Sequence, residues 1–532
     1  MDGSLIRLHD LPDEILMIIL KKISNIEVLY SFIGVNKRLN EIVHDSIFTT
    51  CLTLMRDSFN GLSDRLIKRI LDRFCLQILP SIHHKIQWLN VESSFMEPIL
   101  LSTNYPNLYE LGIYHIEKET ASRIFTEESP LIHIFQNQIL SLVIDIVQRK
   151  DLCLAENDNV HIFKRILTVS SNLQCLNFGP SLFWYQRLLL RSLTPDVVSP
   201  TLLELRVGVQ NFIDCLYLVD GRFDQLRTFY VDIYHIFPPQ RIIDNKKKIP
   251  NLKHFSLHCK WETNQYNELI LPLLHRMSNL EELDLYLSVY CEKRVIDGYD
   301  LKENIINHLL ELKKFAFNIR SLLYLNDQIY LSSNEDIQHS FKDFHDHQVI
   351  SYVDYFSNRK QGQCQIYSFP HHVQYYDYIT NSLPNGLFEH VREVSLFDER
   401  PFEHEFFLRI AKSFPLIEAL FINNKQPQKN KFSQQSNDDD QHLSIIEYSH
   451  LRKLDLEEAH DDYVEQFLLD TKTCLAMKLD VEVDYEVLDT VTHNFTREAT
   501  RINCSKLLYL CIPEEISIPM HLKDYLPYTK MS

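Results

Sequence analysis

Apolar residues recur at helical period over the first forty or so positions, and then the rhythm changes. Ile15, Leu16, Ile19, Leu20 and Ile23 fall on one face of a helix. Pro12 suits its first turn, and Asp13 and Glu14 place negative charge at the positive end of its dipole. Ser24-Asn25-Ile26-Glu27 has the form of a capping box opening a second helix, with Val28, Leu29, Phe32 and Ile33 on its apolar side. Leu39, Ile42 and Val43 give a third, with Lys37, Arg38 and Glu41 on its polar side. Met17 and Ile18 widen the first helix's apolar surface beyond one stripe. So small a cluster either caps the chain that follows or offers a handle to another protein.

From about residue 80 the pattern becomes apolar, two residues, apolar, one residue, apolar, the signature of a short half-buried strand. It begins at Ile86, Leu108, Ile139, Leu173, Leu202, Leu226, Leu252, Leu280 and Leu312, and resumes at Val391, Ile417, Leu451 and Leu507. From Leu173 to Leu312 the starts lie 24 to 32 residues apart. That suits a unit of one strand and one helix. Tyr266–Met277 and Phe402–Phe414 carry helical spacing between strands. The interval from Leu312 to Val391 lacks the pattern and is rich in Tyr, His and Asp. Residues 318–390 are therefore expected to hold degenerate units or an insertion. The polar run Lys425–His442 reads as a mobile loop.

Composition narrows the function. The net charge of −18 disfavours nucleic acid or an anionic membrane as partner, since both need clustered cations. Lys246-Lys247-Lys248 reads as a solvated loop. No basic and apolar leader is present and no apolar run is long enough to span a bilayer. Eleven cysteines, none in a C-x-x-C pair, suggest reduced core thiols in a cytoplasmic or nuclear protein. The match to a glycosylation sequon at Asn494-Phe495-Thr496 carries no weight without secretion. The ten glycines are too scattered for a phosphate-cradling loop, and no H-E-x-x-H or G-x-S-x-G motif occurs. No cofactor or catalytic pairing is expected, so the chain reads as a non-enzyme.

The N-terminal segment resembles an F-box. Leu11, Pro12, Glu14, Ile15 and Leu16 match its opening, Ile19, Leu20 and Ile23 its middle, and Val35, Lys37 and Leu39 its close. Asn36 and Leu39 depart from the commonest residues of the family. With the strand pattern, the chain is similar to the F-box/leucine-rich-repeat family, and the resemblance implies an α/β chain in three parts. A three-helix F-box would occupy residues 5–50, a helical linker 51–80 and a divergent leucine-rich-repeat-like β/α solenoid 81–532. The Asn or Cys ladder of that repeat is missing, with Lys260, Ser288, Glu399 and Ala459 in its place. In the family the F-box residues just named dock on a Skp adaptor of a cullin–RING ubiquitin ligase. The repeats hold a protein substrate for ubiquitination, and the transfer chemistry lies in other subunits. The competing expectation is an interaction scaffold whose N-terminal helices only cap the solenoid, with no ubiquitin role.

Strand alternation nominates a substrate face. Tyr230 and Asp232, His254 and His258, then Glu282, Asp284 and Tyr286 come from successive strands, followed later by Phe397, Asp455 and Glu457. Such a mixed aromatic and acidic face favours a basic peptide, weighed against a merely solvated sheet. His345-Asp346-His347 beside Asp343, the pair His371-His372 and Asp438–Asp440 read as polar loops rather than metal sites.

Overall fold

The computed structural model describes residues 11–56, 63–147, 156–180, 186–190, 198–238, 247–325, 330–344, 348–369, 374–429, 444–476, 479–510 and 521–531. Lys246, His345-Asp346-His347, His371-His372, Asp438–Asp440 and most of the run Lys425–His442 lie outside them. The chain divides into two compact units. Unit 1 comprises Met1–Cys259, Asn267–Leu283 and Leu309–Lys314; unit 2 comprises Lys260–Tyr266, Asp284–His308 and Phe315–Ser532.

Unit 1 opens with helices α1 (Asp13–Leu20), α2 (Asn25–Phe32), α3 (Lys37–Val43) and the single turn α4 (Ser46–Thr49). Pro12 sits at the N-cap of α1, one position before the first turn expected for it. The capping box forms as the sequence suggests: the Glu27 amide donates to Ser24 Oγ and the Ser24 amide to Glu27 Oε2, each at 3.3 Å. Asn36 caps α3, its Oδ1 accepting from the Leu39 amide at 2.9 Å. The departure at position 36 thus keeps the one function a cap requires, a short acceptor side chain. Asn36→Ala is expected to lower unfolding stability by about 1 kcal/mol, read as a shifted urea midpoint, and Asn36→Ser to leave it near wild type.

The segment expected as a helical linker begins instead with a strand, β1 (Cys51–Leu54). Leu52 and Leu54 alternate into the core, a pattern too brief to stand out in the sequence. Helical turns follow from Asp64 to Ile82. Then come β2 (Trp88–Glu92), β3 (Glu110–Ile116), β4 (Ser141–Ile146), β5 (Cys175–Phe178), β6 (Arg187–Leu188), β7 (Glu204–Asn211), β8 (Thr228–His235) and β9 (His254–Thr263). Apart from β6, which joins the edge of β7, each pairs parallel with the next. The register aligns two apolar ladders. One runs Leu52, Leu89, Leu111, Leu142, Leu176, Leu205, Phe229, Phe255; the other runs Leu54, Val91, Ile113, Ile144, Phe178, Val207, Val231, Leu257. Every member is buried. Each such side chain contributes about 2 kcal/mol of burial, which is why the spacing dictates where strands form.

Unit 2 takes up β10 (Glu282–Cys291) and β11 (Lys314–Tyr324) for most of their length. The interval without the pattern holds β12 (Gln348–Phe356) and β13 (Gln361–Phe369), an antiparallel hairpin. β13 also pairs antiparallel with β11. Over Gln348–Phe369 the interval thus departs from parallel pairing, which resumes before its end at Tyr375–Ile379. The hairpin turn is tied down by Glu399, one of the positions where a ladder Asn was missing: the amides of Asn358 and Arg359 donate to its carboxylate at 2.9 and 3.1 Å.

A second parallel sheet follows, built from β14 (Tyr375–Ile379), β15 (Glu393–Phe397), β16 (Ala419–Asn423), then, after β17 (Ile446–Tyr448), β18 (Lys453–Asp455). After β19 (Thr473–Leu475), which pairs β17, it is completed by β20 (Leu479–Glu482), β21 (Leu507–Leu510) and β22 (Lys530–Met531). The helix His404–Ser413 covers it with Phe406, Phe407 and Ile410, as its spacing foretold. Lys425–Gln428, expected to be mobile, is held: Gln428 is buried, its amide donating to Asp462 Oδ2 and its side chain to the Phe402 carbonyl, each at 2.9 Å. Among the described residues no helix is long and apolar enough to cross a membrane.

Candidate functional site

The first helix divides its apolar residues between two sides. Leu16 and Leu20, four apart, turn inward with Ile26, Val28, Leu29, Leu39, Ile42 and Val43. Ile15, Ile19 and Ile23, also four apart, turn outward beside Ile18 and are 38 to 57 % exposed. Val35 is exposed to the same degree, and Pro12, Glu14 and Lys37 are exposed as well. Leu16, Leu20 and Leu39 were nominated as docking contacts; they are core residues, because the small helical cluster needs them to close on itself.

The inner side is completed by the chain downstream. Asn25 Nδ2 donates to the carbonyls of Ile47 and Cys51, at 3.2 and 3.1 Å. Arg73 donates to the Ile33 carbonyl at 3.1 Å and lies 4.7 Å over the Tyr30 ring. Gly34, at φ +78°, makes the turn out of α2, and its amide donates to Asn40 Oδ1. Arg38 pairs with Asp13 at 2.6 Å and ties α3 to the start of α1. The result is a braced platform whose outward isoleucines meet solvent, an arrangement that costs solubility unless a partner covers it.

Residues 8–50 match the F-box domain model. F-box domains generally bind Skp-type adaptors in cullin–RING ligases. No curated protein matches the chain. The F-box helices are followed by a mixed α/β body with large sheets, and no family match covers it.

The nominated substrate face falls on both units. In unit 1, Tyr230, Asp232, His254, His258 and Glu282 are half-buried on alternating positions, as expected. Their charges are met locally. His258 Nδ1 lies 2.7 Å from Asp232, Lys314 lies 3.6 Å from Glu282, and the Arg206 guanidinium stacks 4.0 Å over Tyr230. This face is balanced rather than strongly negative.

In unit 2, Asp284 and Asp455 are half-buried and Glu457 is exposed, but Tyr286 and Phe397 are buried. Tyr286 is held inside by Asp377: its hydroxyl donates to Oδ2 at 3.0 Å and accepts from the Asp377 amide at 2.8 Å. Burial and the Asp377 carboxylate push its phenol far above the usual range. Phe397 packs edge-on against Phe356 and lies beneath Arg359 at 4.1 Å. Both therefore leave the nominated surface, because neighbouring side chains from the hairpin and β14 cover them.

Two further positions of the missing ladder, Lys260 and Ser288, join a polar network that alternation did not reveal. Lys260 Nζ lies 2.7 Å from Glu393 and 3.2 Å from Asp377, whose carboxylates are buried. Arg320, 4 % exposed, donates to Glu262 at 2.6 Å and Ser288 Oγ at 3.1 Å, and lies 3.7 Å over the Tyr378 ring. Tyr378 takes a positive φ of 54° at a break in the β14–β15 register. Among the described residues no group of three metal-ligating side chains is assembled. Asp343, nominated beside the histidines, pairs with Lys302 at 2.7 Å.

Asp455 is shifted well away from an ordinary carboxylate. Burial, and then the Glu482 and Glu457 carboxylates, push it up to about 6 against the lowering effect of Lys453 and the Glu457 amide. The folded chain keeps this proton until about pH 6, whereas the unfolded chain releases it near pH 4. Stability is therefore lost as pH rises between those values and stays lost above them. Asp455→Asn is expected to match wild type near pH 4 and to exceed it at pH 7 by about 1 kcal/mol, the full linkage discounted for a side chain that solvent still reaches. Urea midpoints measured across that range test this; a variant less stable at pH 7 would contradict it.

Proposed function

We propose that this chain is a substrate-receptor subunit of a Skp–cullin–F-box ubiquitin ligase. Its F-box docks on a Skp-type adaptor, and the α/β body, which we read as a divergent leucine-rich-repeat-like array, holds a protein for ubiquitination. The observation that carries this reading is the outward face of Ile15, Ile18, Ile19, Ile23 and Val35 on the segment that matches an F-box. Helices that merely capped the array would have this face covered by their own chain. The repeat reading is supported by strands that start two residues after each expected position from Ile86 to Leu312, paired parallel from Ile86 to Leu252.

In this reading the chain supplies binding and no catalytic residue, uses no cofactor, and works in the cytoplasm or nucleus. Substrate contacts are proposed for each unit by itself and on positions solvent reaches: the half-buried Tyr230, Asp232, His254, His258 and Glu282 in unit 1, and the half-buried Asp284 and Asp455 with the exposed Glu457 in unit 2. The test is co-expression of the full chain with a Skp-type adaptor, followed by sizing of the purified product. A one-to-one complex that recruits a cullin–RING module supports the proposal. Separate elution of the two proteins would return the N-terminal helices to the role of a cap.

A further inference from the structure

Carboxylates on the outward face of the unit 1 sheet lie beside basic side chains. Glu92 is 3.7 Å from Arg56, Glu204 is 2.7 Å from Arg206, Asp232 is 2.7 Å from His258 and Glu282 is 3.6 Å from Lys314. Glu110, at the start of β3, differs. It is half-buried, and among the described residues no cation pairs with it. The register sets Trp88 on one side of it and Ser141 on the other, and the same row reaches Cys51 and Cys175 without a positive charge. Burial alone acts on its carboxyl, pushing it up.

The neighbouring Trp88 is 40 % exposed, yet its indole is held. Nε1 donates to Asn90 Oδ1 at 3.0 Å, and Asn90 Nδ2 donates to Thr53 Oγ1 at 3.2 Å. Gly112 leaves room for this brace, since a Cβ there would collide with Asn90 Oδ1 and lie 2.8 Å from the Tyr114 ring. An aromatic ring already fixed loses little side-chain entropy when a partner covers it. A carboxylate that has already given up part of its water, with no cation in return, attracts one more strongly than a fully solvated acid does. Together the pair suits a side chain with a positive tip and an apolar or planar body, which describes lysine and arginine.

We infer that a basic side chain of the client protein, an arginine or a lysine, docks at Glu110 and Trp88, its charge on the carboxylate and its body against the indole. The inference rests on the reading of the α/β body as a substrate holder and names a chemistry for it. Basic recognition thereby moves from the nominated positions, whose charges are met locally, to the strands that directly follow the F-box helices. Trp88 supplies contact area and Glu110 the charge complementarity that selects the partner.

The probe is the peptide acetyl-Gly-Gly-Arg-Gly-Gly-amide, with citrulline replacing arginine in its neutral match. Each is titrated into the full chain, alone and with a Skp-type adaptor, and followed by saturation-transfer NMR. The arginine peptide is expected to bind with a Kd of about 1 mM, and the citrulline peptide about tenfold more weakly. Glu110→Gln and Trp88→Leu should each weaken the arginine peptide at least about fivefold. Glu128→Gln, the same change of charge at an exposed site elsewhere in unit 1, should leave it unchanged. Glu110→Gln should also melt no lower than wild type at pH 7, because the charge it removes is half-buried without a counter-ion. Equal binding of the two peptides, binding that survives Glu110→Gln, or no binding at about 10 mM peptide overturns the inference. If the adaptor binds while the peptide does not, the inference falls and the ligase reading stands. If the peptide binds through Glu110 while the adaptor does not, the basic-residue site stands and the ligase reading falls.

Discussion

Ile15→Asp combined with Ile19→Asp is expected to abolish adaptor binding while leaving the fold intact. Both side chains point into solvent on the outer edge of α1, so the isolated protein loses no core contact. In a complex each would be desolvated, and an aspartate in its place would be buried without a partner, at a cost of several kcal/mol per site. Affinity should fall by at least about a hundredfold, equal to about 3 kcal/mol. The matched control is Leu20→Ala, which opens a cavity at a buried position of the N-terminal helices. It should lower stability by about 3 kcal/mol and weaken binding only through the fraction unfolded. Surface plasmon resonance with parallel thermal melts separates the two. If the double aspartate variant keeps full affinity with an unchanged melt, the outward face is not the docking surface.

Replacing Arg320 should give the largest loss of stability in unit 2. Its guanidinium is almost fully enclosed and joins Glu262, Ser288 and the Tyr378 ring. Arg320→Met strands the Glu262 carboxylate in a site with little water and removes the plane on which Tyr378 rests. The expected loss is about 3 kcal/mol, seen as a lowered urea midpoint for a fluorescence signal from unit 2. Adding Glu262→Leu should restore part of it, because the uncompensated charge rather than the missing contact dominates the cost. Additive losses in the double variant would show that the pair is not energetically coupled.

Much of this architecture was visible before any coordinates. The Ser24–Glu27 capping box and the strand starts from Ile86 to Leu312 come from short-range rules, since a cap needs one side chain and a buried strand needs two alternating apolar residues. What escaped depends on distant partners. Helical period places Ile15 and Leu16 on one broad stripe, but only the packing of α2 and α3 decides which of the two turns inward. Alternation puts Tyr286 and Phe397 on the polar side of their strands, and it takes Asp377 and the β12–β13 hairpin to bury them. The hairpin itself was hidden because its turn contains no Gly or Pro. Lys360 adopts a positive φ of 48° there, and Glu399, far along the chain, supplies the acceptors that a turn residue would otherwise provide.

That hairpin also bears on the order in which the chain acquires its structure. Every parallel pair of unit 2 must close a crossover before a single interstrand bond forms, and the entropy of that closure is lost in advance of any reward. β12 and β13 need only the tight turn between Phe356 and Gln361. They can pair within microseconds of synthesis, a local event on a chain otherwise made of slow, distant ones. Once paired, β13 presents a finished edge to β11, and Glu399 must arrive to lock the turn. The hairpin that interrupts the regular pattern is therefore the segment best placed to nucleate unit 2.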